Sequence, residues 1–274
     1  YPSASVQYAV DDNTKVKMAY SKRVERTTTF KMNPFPEREH SETLEQGDPN
    51  LKPEFIDLIE LGIDTKLGSH SVFATAYFRN TQHVVNRVNT VYNDSILNRI
   101  YSNVGSAKTF GLELGAQLKS TNKWQNFIGA NVYHYALKGS FDNRPINTNA
   151  TIFSLNVNST YSFWKNASLQ FTFNYLSDRV TAQGEDSRYY TPNLTFQKSF
   201  LDNRLKATMQ WLNIDMGLLD TNEQRITTWR ADEFYTTTNY IYEVDMILLN
   251  LSYVFKNGKN KSKFIDSEFG KREF

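Results

Sequence analysis

Two polar stretches hold the side chains best suited to ligand chemistry. The first, residues 37–42 (EREHSE), alternates carboxylates with a guanidinium and an imidazole. It can grip a cationic ligand or Ca²⁺, because carboxylate oxygens are hard ligands. Its spacing matches no known calcium loop, so we expect no metal and keep Arg38 and His40 as candidate ligand-binding residues. The alternative is a solvated charged loop.

The second stretch combines basic and aromatic side chains. Arg225, Trp229 and Arg230 lie within residues 215–238 and can form a capture surface for a sugar or an anion. A plain solvent-exposed loop is the alternative interpretation of the same residues.

Catalytic constellations are absent from the sequence. The four histidines are scattered and form neither an HExxH nor a GxSxG motif; they are His40, His70, His83 and His134. There is no Cys, which excludes disulfides and thiolate metal sites. We therefore expect neither an enzyme nor a bound cofactor.

The composition excludes further classes. The formal net charge is +2, from 31 basic and 29 acidic residues, which gives no reason to expect nucleic acid as a partner. Aromatic residues make up 14% of the 274, yet mean hydropathy is only −0.56. No segment approaches 18 continuous apolar residues, so a helical membrane span is excluded. A transmembrane β-barrel is not, because each of its strands is only half apolar.

The elements that must position the two polar stretches are strands. The last apolar run places every second side chain on one face: Ile247, Leu249, Leu251, Tyr253 and Phe255. A period of two indicates a strand with one face against an apolar medium. Taken alone, this strand suits the lipid-facing wall of a barrel or the buried face of a soluble β-sandwich.

About eleven strands follow from the same counting. They are joined alternately by short turns and longer connections, as in outer-membrane barrels with short periplasmic turns and longer extracellular loops. The turns are at 11–13, 68–69, 120–123, 164–166 and 201–203, and the longer connections near 25–53, 88–98, 139–149, 178–188 and 215–238. The final strand is expected from Tyr240 onward, with a parity slip near Met246.

The fold prediction is an all-β, antiparallel transmembrane barrel. Because bacterial single-chain barrels have even strand numbers, eleven strands predict the C-terminal half of a 22-stranded barrel over residues 1–255. Residues 256–274 are expected to form a charged periplasmic tail. The polar face of the wall is expected to line the lumen with Glu60, Asp64, Glu113, Gln117 and Lys119.

Several motifs, in order along nearly the whole chain, carry a family resemblance. They are residues 33–35 (NPF), 47–54 (GDPNLKPE), 60–62 (ELG), 103–105 (NVG), 110–114 (FGLEL) and 251–255 (LSYVF). With them the chain resembles TonB-dependent receptors of the Bacteroidetes type, specifically their outer-membrane β-barrel family. Two positions depart from the family pattern: Thr27 stands where Pro is frequent, and Asp48 where Asn is frequent.

The resemblance implies import of a bulky nutrient across the outer membrane, such as a ferric siderophore, a glycan or a peptide, captured by loops near 25–53 and 215–238. The implied partners are the lipid bilayer, TonB through an N-terminal region not in this sequence, the barrel assembly machinery and a surface lipoprotein. Leu251, Tyr253 and Phe255 resemble the terminal assembly signal. Two other hypotheses stay open: a barrel with a structural or assembly role, and a soluble β-sandwich adhesin or glycan-binding module.

Overall fold

The computed structural model describes residues 1–40, 42–217 and 223–255, with the side chains of Glu39 and His40 left outside the description. It contains a short helix, α1 (Thr29–Met32), and strands that fall into two sheets. The strands are β1 (Ser3–Ala9), β2 (Thr14–Glu25), β3 (Glu37–His40), β4 (Thr43–Gln46), β5 (Glu54–Leu67), β6 (His70–Asn93), β7 (Ile96–Lys119), β8 (Trp124–Phe141), β9 (Arg144–Phe163), β10 (Ala167–Leu176), β11 (Arg179–Val180), β12 (Gly184–Asp186), β13 (Tyr189–Phe200), β14 (Leu205–Leu212), β15 (Glu223–Arg230), β16 (Phe234–Ile241) and β17 (Met246–Tyr253).

Eleven of these strands form one continuous antiparallel sheet, in the order β1-β2-β5-β6-β7-β8-β9-β10-β13-β14-β17. The predicted strand number and the all-β antiparallel fold are thus confirmed. Among the described residues, β1 and β17 are the two edges of this sheet, so the wall is open. No helix in the described ranges is long and apolar enough to cross a membrane.

Pairing register explains why the alternating pattern produces this sheet. Apolar side chains of neighbouring strands lie in the same rows across the sheet. Each strand alternates apolar and polar residues, and the pairing register places apolar positions opposite apolar positions. One such row runs through Met18, Leu61, Ala76, Leu112, Val132 and Phe153. Met18, Leu61, Leu112 and Phe153 are 39–61% exposed, so this face presents an apolar surface that the sheet itself does not cover.

The opposite face is polar and holds aromatic rings above glycines. A Cβ on Gly115 would lie 2.1 Å from the ring of Phe73, and one on Gly111 would lie 2.5 Å from the ring of Tyr77. Tyr77 of β6 donates a hydrogen bond over β7 to Asn131 Oδ1 of β8, at 3.2 Å. Rings therefore lie flat on this face where β7 has no side chain.

The short turns are found as predicted. In the first, Asp11 Oδ1 accepts the N–H groups of Asn13 and Thr14, both at 2.7 Å. These two backbone bonds hold the pKa of Asp11 below its usual value. Such Asx-type turns satisfy backbone donors locally.

The prediction of loops at residues 88–98 and 139–149 is wrong. Residues 88–98 and 139–149 continue the wall strands as long hairpins, closed by two-residue turns at Asp94–Ser95 and Asp142–Asn143. Asp142 and Asn143 have φ of 50° and 59°, which suits a tight hairpin turn. Polar sequence does not indicate a loop here, because a hairpin surrounded by water needs no apolar face.

The final strand also begins later than predicted. Tyr240 belongs to β16, and the wall strand β17 starts at Met246 after a turn in which Asp245 has φ 53°. The parity slip near Met246 is therefore a break between strands of two different sheets.

The remaining longer connections contain ordered elements. Residues 26–53 include α1 and the β3–β4 pair, with β4 parallel to β7. A four-stranded sheet, β11-β12-β15-β16, is built from the connections before β13 and before β17. We call the described residues of 26–53, 83–104, 139–148, 177–188 and 213–245 the cap, and the rest of the eleven-stranded sheet the wall.

A pair of glycines marks the junction of wall and cap. Gly105, with φ 140°, pairs with Gly139 in the last row of the β7–β8 ladder. A Cβ on Gly139 would lie 1.8 Å from Val104 O, and one on Gly105 would lie 2.2 Å from Lys138 O. The backbones approach so closely that neither position accepts a side chain. We call this pair the glycine seam.

Candidate functional site

A small apolar core joins the cap to the end of the wall. Leu137 and Val88 are fully buried, Val104 nearly so, and Ile146 and Ala182 pack with them. These residues come from β6, β7, β8, β9 and the β11–β12 turn. The cap is therefore fixed on the wall by burial as well as by strand pairing.

Side-chain groups satisfy the edge of β6 where β5 no longer pairs with it. Gln183 Oε1 accepts the N–H of Asn89 at 2.6 Å, and Gln183 Nε2 donates to the carbonyl of Asn89 at 3.1 Å. One amide side chain thus takes the place of a neighbouring strand. Trp229 N–H in turn donates to Gln183 O at 2.9 Å, which ties this turn to β15.

Glu54, the first residue of β5, has a similar role on the same edge where the wall meets the cap. Its Oε1 accepts the N–H of Val85 at 2.6 Å. Burial raises the pKa of Glu54, and the neighbouring Glu25 raises it further; the Val85 bond and Lys31 oppose the change without cancelling it. The ionised carboxylate is therefore held at a cost.

An ion-pair network binds the β8–β9 tip to β15–β16. Arg230 pairs through Nη2 with Asp142 and through Nε with Glu233 Oε1 at 3.2 Å. Arg144 also reaches Glu233, at 2.5 Å, and donates to the carbonyl of Ala231 at 3.1 Å. The Arg230 side chain is only 9% exposed and lies 5.9 Å from the centre of the Phe141 ring.

Beside this network, two aromatic side chains form a surface open to solvent. Trp229 and Tyr235 are directly paired across β15 and β16, so they lie on one face of the hairpin. They are 45% and 73% exposed. We call them the aromatic pair. Cavities of 630 and 330 Å³ adjoin the hairpin, and Trp229 lines both. Ligand pockets commonly have volumes of about 300–1,000 Å³.

The charges around the larger cavity are mostly negative. Glu185, Asp232 and Glu233 line it together with a single base, Arg230, which is already paired with Asp142 and Glu233. Flat aromatic faces beside carboxylates suit the apolar face and hydroxyls of a sugar, or a cation. An anionic ligand would meet net repulsion here.

The predicted ligand-binding residues do not all meet. Trp229 and Arg230 line the same cavities, but Arg225 lies beside a separate hollow of 240 Å³ with Asp178, Arg188 and Glu223. Its Nη2 lies 3.4 Å from Glu223 Oε1. Arg38 is exposed on β3, and the side chain of His40 lies outside the described residues. Within the described ranges of the chain, no group of three or more acidic or His side chains can hold a metal ion.

Sequence reasoning missed Tyr235, Glu185 and Asp232. A signal for Tyr235 was present, since residues 223–230 and 234–241 are rich in Thr, Ile and aromatic residues, which favour strands, and flank a short turn containing Asp232. Read as a hairpin, that pattern places Tyr235 opposite Trp229. Nothing in the sequence links Glu185 to them.

The other predicted residues keep their places on the wall. Glu60, Asp64, Glu113, Gln117 and Lys119 lie on the face opposite the apolar rows; that they line a transport lumen stays a prediction. Leu251 and Tyr253 lie on the edge strand β17, and Phe255 follows it, 90% exposed. The Tyr253 and Phe255 rings meet edge to face at 4.7 Å. Their role in assembly also stays a prediction.

This combination defines a class of protein. One antiparallel sheet with an apolar outer face, short turns at one end and elaborate connections at the other is the wall of a transmembrane β-barrel. The chain belongs to the outer membrane protein beta-barrel family, whose model matches residues 1–253, and it is an outer-membrane protein. The soluble β-sandwich hypothesis is thereby excluded. No curated protein sequence matches the chain.

Several solved structures share the fold. The siderophore receptor PirA from Pseudomonas aeruginosa matches over 80% of this chain and 39% of its own, with a TM-score of 0.57 and 14% identity. A ferric enterobactin receptor (PfeA) mutant from Pseudomonas aeruginosa matches over 86% and 36%, with 0.53 and 15%. The FrpB iron transporter from Neisseria meningitidis matches over 91% and 38%, with 0.54 and 13%. The chain spans about two fifths of the length of these proteins.

Proposed function

We propose that this chain is a portion of the barrel of a TonB-dependent receptor that imports a bulky nutrient through the outer membrane. The observation that carries the proposal is the cap. Long connections at one end of the wall build an ordered surface on which the aromatic pair lies beside an open cavity. A purely structural barrel gains nothing from such a surface. The fold shared with two receptors and an iron transporter supports the proposal.

A complete receptor barrel also needs further strands, a plug and a segment that contacts TonB. Eleven antiparallel strands leave β1 and β17 running in the same direction, so antiparallel closure requires an odd number of further strands. Eleven more would give the 22-stranded, plugged barrel class. A plug and a TonB-contacting segment belong to that architecture. The periplasmic tail predicted for residues 256–274 lies outside the described residues and stays a prediction. A Bacteroidetes-type receptor with a surface lipoprotein partner is the form we favour. The proposal assigns the chain no catalytic step.

The residues that line the cavity beside the aromatic pair favour some classes of nutrient over others. The aromatic pair and the surrounding carboxylates favour a neutral or cationic ligand, such as a glycan or a basic peptide. A strongly anionic iron chelate is disfavoured by the unbalanced negative charge of Glu185 and Asp232.

Uptake in cells tests the proposal. A strain lacking the gene is complemented with the wild-type protein or with a Trp229→Ala/Tyr235→Ala double variant, and grown on panels of neutral oligosaccharides, peptides and ferric chelates. We expect growth on a neutral or cationic nutrient to require TonB and to fall about tenfold in uptake rate in the double variant, since each ring contact contributes roughly 0.5–1.5 kcal/mol.

Tyr92→Ala is the matched control, because Tyr92 is a 63% exposed aromatic residue in the cap that lines neither cavity. The control is expected to grow as the wild type. Equal growth of the deletion strain on every nutrient would reject the transport role and favour a structural or assembly partner.

A further inference from the structure

The apolar face of the wall carries a groove at the end of the short turns, away from the cap. A cavity of 870 Å³ lies between the β7–β8 turn and the strands β8, β9 and β10. Trp124, Tyr161, Leu169 and Phe171 supply its apolar lining, and Thr121, Asn122 and Lys123 of the turn close one end. Because short turns of outer-membrane barrels are periplasmic, this groove faces lipid at the periplasmic leaflet.

A small polar residue, Ser159, lines the groove beside its cross-strand partner Asn126. Asn126 and Ser159 are paired across β8 and β9, in the row that continues with Leu118 on one side and Phe171 on the other. The small Ser159 side chain leaves space beside the bulky Tyr161 and Phe171, which line the same groove. The rows on either side of this pair, Trp124–Tyr161–Leu169 and Ile128–Val157–Phe173, are apolar, so the pair is a polar interruption between two apolar rows.

The polar atoms in the groove form a chain of hydrogen bonds that leads to the turn. Trp124 Nε1 donates to Ser159 Oγ at 3.0 Å, Ser159 Oγ donates to Asn126 Oδ1 at 2.6 Å, and Asn126 Nδ2 donates to Ser120 Oγ at 3.4 Å. Unpaired polar groups are costly in hydrocarbon. These linked hydrogen bonds therefore suit the level of the lipid headgroups, where Trp and Tyr side chains also concentrate.

The charge at this end of the groove is positive. Lys119 and Lys123 lie at or beside the β7–β8 turn, and the sequence from Leu114 to Phe141 contains no acidic residue; residues 145–177 contain Lys165 and no acidic residue. Lys123 lies in the turn that lines the groove, and Lys165 lies in the neighbouring β9–β10 turn. A negatively charged headgroup would meet these lysines without a competing carboxylate from either segment.

We propose that this groove is a binding site for one anionic phospholipid of the periplasmic leaflet. An acyl chain lies along Leu169 and Phe171, against the edge-to-face pair of Trp124 and Tyr161, whose rings are 6.4 Å apart. The phosphate is held at Lys123 and the hydroxyl-rich turn 120–123. Basic clusters at membrane interfaces select anionic lipids in this way.

The test uses the full-length receptor, purified in detergent and depleted of lipid. Phosphatidylglycerol and phosphatidylethanolamine with identical acyl chains are titrated separately, and bound lipid is counted by native mass spectrometry. We expect one phosphatidylglycerol to bind clearly more tightly than phosphatidylethanolamine, and Lys123→Glu to weaken it by about fivefold or more. Ser159→Leu, which fills the groove while keeping Lys123, is expected to displace the lipid and leave the barrel folded.

Arg204→Glu is the matched control, because Arg204 is an exposed cation in the β13–β14 turn, a short turn that does not line the groove. It is expected to bind phosphatidylglycerol like the wild type. Equal affinity for the two lipids, retention of the lipid by Ser159→Leu, or an equal loss in Arg204→Glu and Lys123→Glu would each overturn the proposal.

Discussion

The wall and the cap are held together by different kinds of interaction. In the wall, each strand meets its neighbours through long ladders of backbone hydrogen bonds, with apolar rows on one face. Most single side chains there can change without altering the register, provided that apolar and polar faces keep their sides.

The cap depends instead on particular side chains. Gln183 stands in for a strand beside Asn89, and Arg230 joins the β8–β9 tip to β15–β16 through Asp142 and Glu233. A repeating pattern therefore specifies the wall, whereas single long-range contacts specify the cap. The difference predicts which substitutions each region tolerates.

A substitution in the glycine seam, where wall and cap meet, should have the largest effect on stability. Gly139→Val places side-chain atoms against Val104 O and the Gly105 backbone, neither of which can move without disrupting the ladder. We expect a loss of more than about 4 kcal/mol or failure to assemble, as for the most severe core substitutions. The temperature at which the folded band is lost in SDS gels measures it. Gly62→Ala, whose nearest contact is the Thr75 side chain, is the control and should cost under about 1 kcal/mol.

Two adjacent residues of β7 test the two faces of the wall. Leu112→Arg puts a charge into the apolar row and is expected to cost about 2–4 kcal/mol, the range for lipid-facing Arg near the bilayer centre. Glu113→Arg changes the polar face and is expected to be near neutral. The same gel assay compares them, and equal losses would show that the faces are wrongly assigned.

Gln183 tests the dependence of the cap on single contacts. Gln183→Leu keeps the size of the side chain but leaves the Asn89 N–H and carbonyl without it, which should cost about 1–3 kcal/mol locally. Hydrogen exchange at the Asn89 amide should accelerate while exchange in the wall strands stays unchanged. Acceleration throughout the wall would contradict the separation of the two regions.

Glu54 gives the smallest expected effect, and it depends on pH. Its pKa is raised in the folded protein, so the folded state binds a proton more readily than the unfolded state, and stability contributed by this group falls as pH rises through that pKa. Glu54→Gln keeps an acceptor for Val85 N–H without the charge. The stability of the variant relative to wild type should therefore increase as pH rises from the usual range of a Glu carboxyl through the raised pKa of Glu54. If the stability of Glu54→Gln relative to wild type decreased over this range, the pKa of Glu54 would be lowered in the folded protein, not raised.

The wall could be predicted from sequence because its signals are local. The alternation through Phe110, Leu112 and Leu114 and the Asx turn at Asp11 can each be read within a few residues. Antiparallel pairing of sequential strands then follows from the short turns, and eleven strands were counted correctly in this way.

The cap could not be predicted to the same extent, because its contacts join distant residues. Gln183 and Asn89 are 94 positions apart, and Arg230 and Asp142 are 88 apart. Hairpin segments such as residues 88–98 are polar on both faces, so alternation of hydropathy gives no signal. Trp229 and Arg230 were selected by residue type, and only the structure separates the exposed ring from the buried guanidinium.

The glycine seam also offers a splice point for protein engineering. Below it, register and lipid contact constrain every strand. Above it, the β6–β7 and β8–β9 hairpins no longer pair with each other and are held by the other cap elements. A designer could exchange residues 83–104 and 139–148 together with their partner connections, and leave the membrane-embedded rows untouched. The two glycines would stay, since they let the foreign hairpins depart at the same angle.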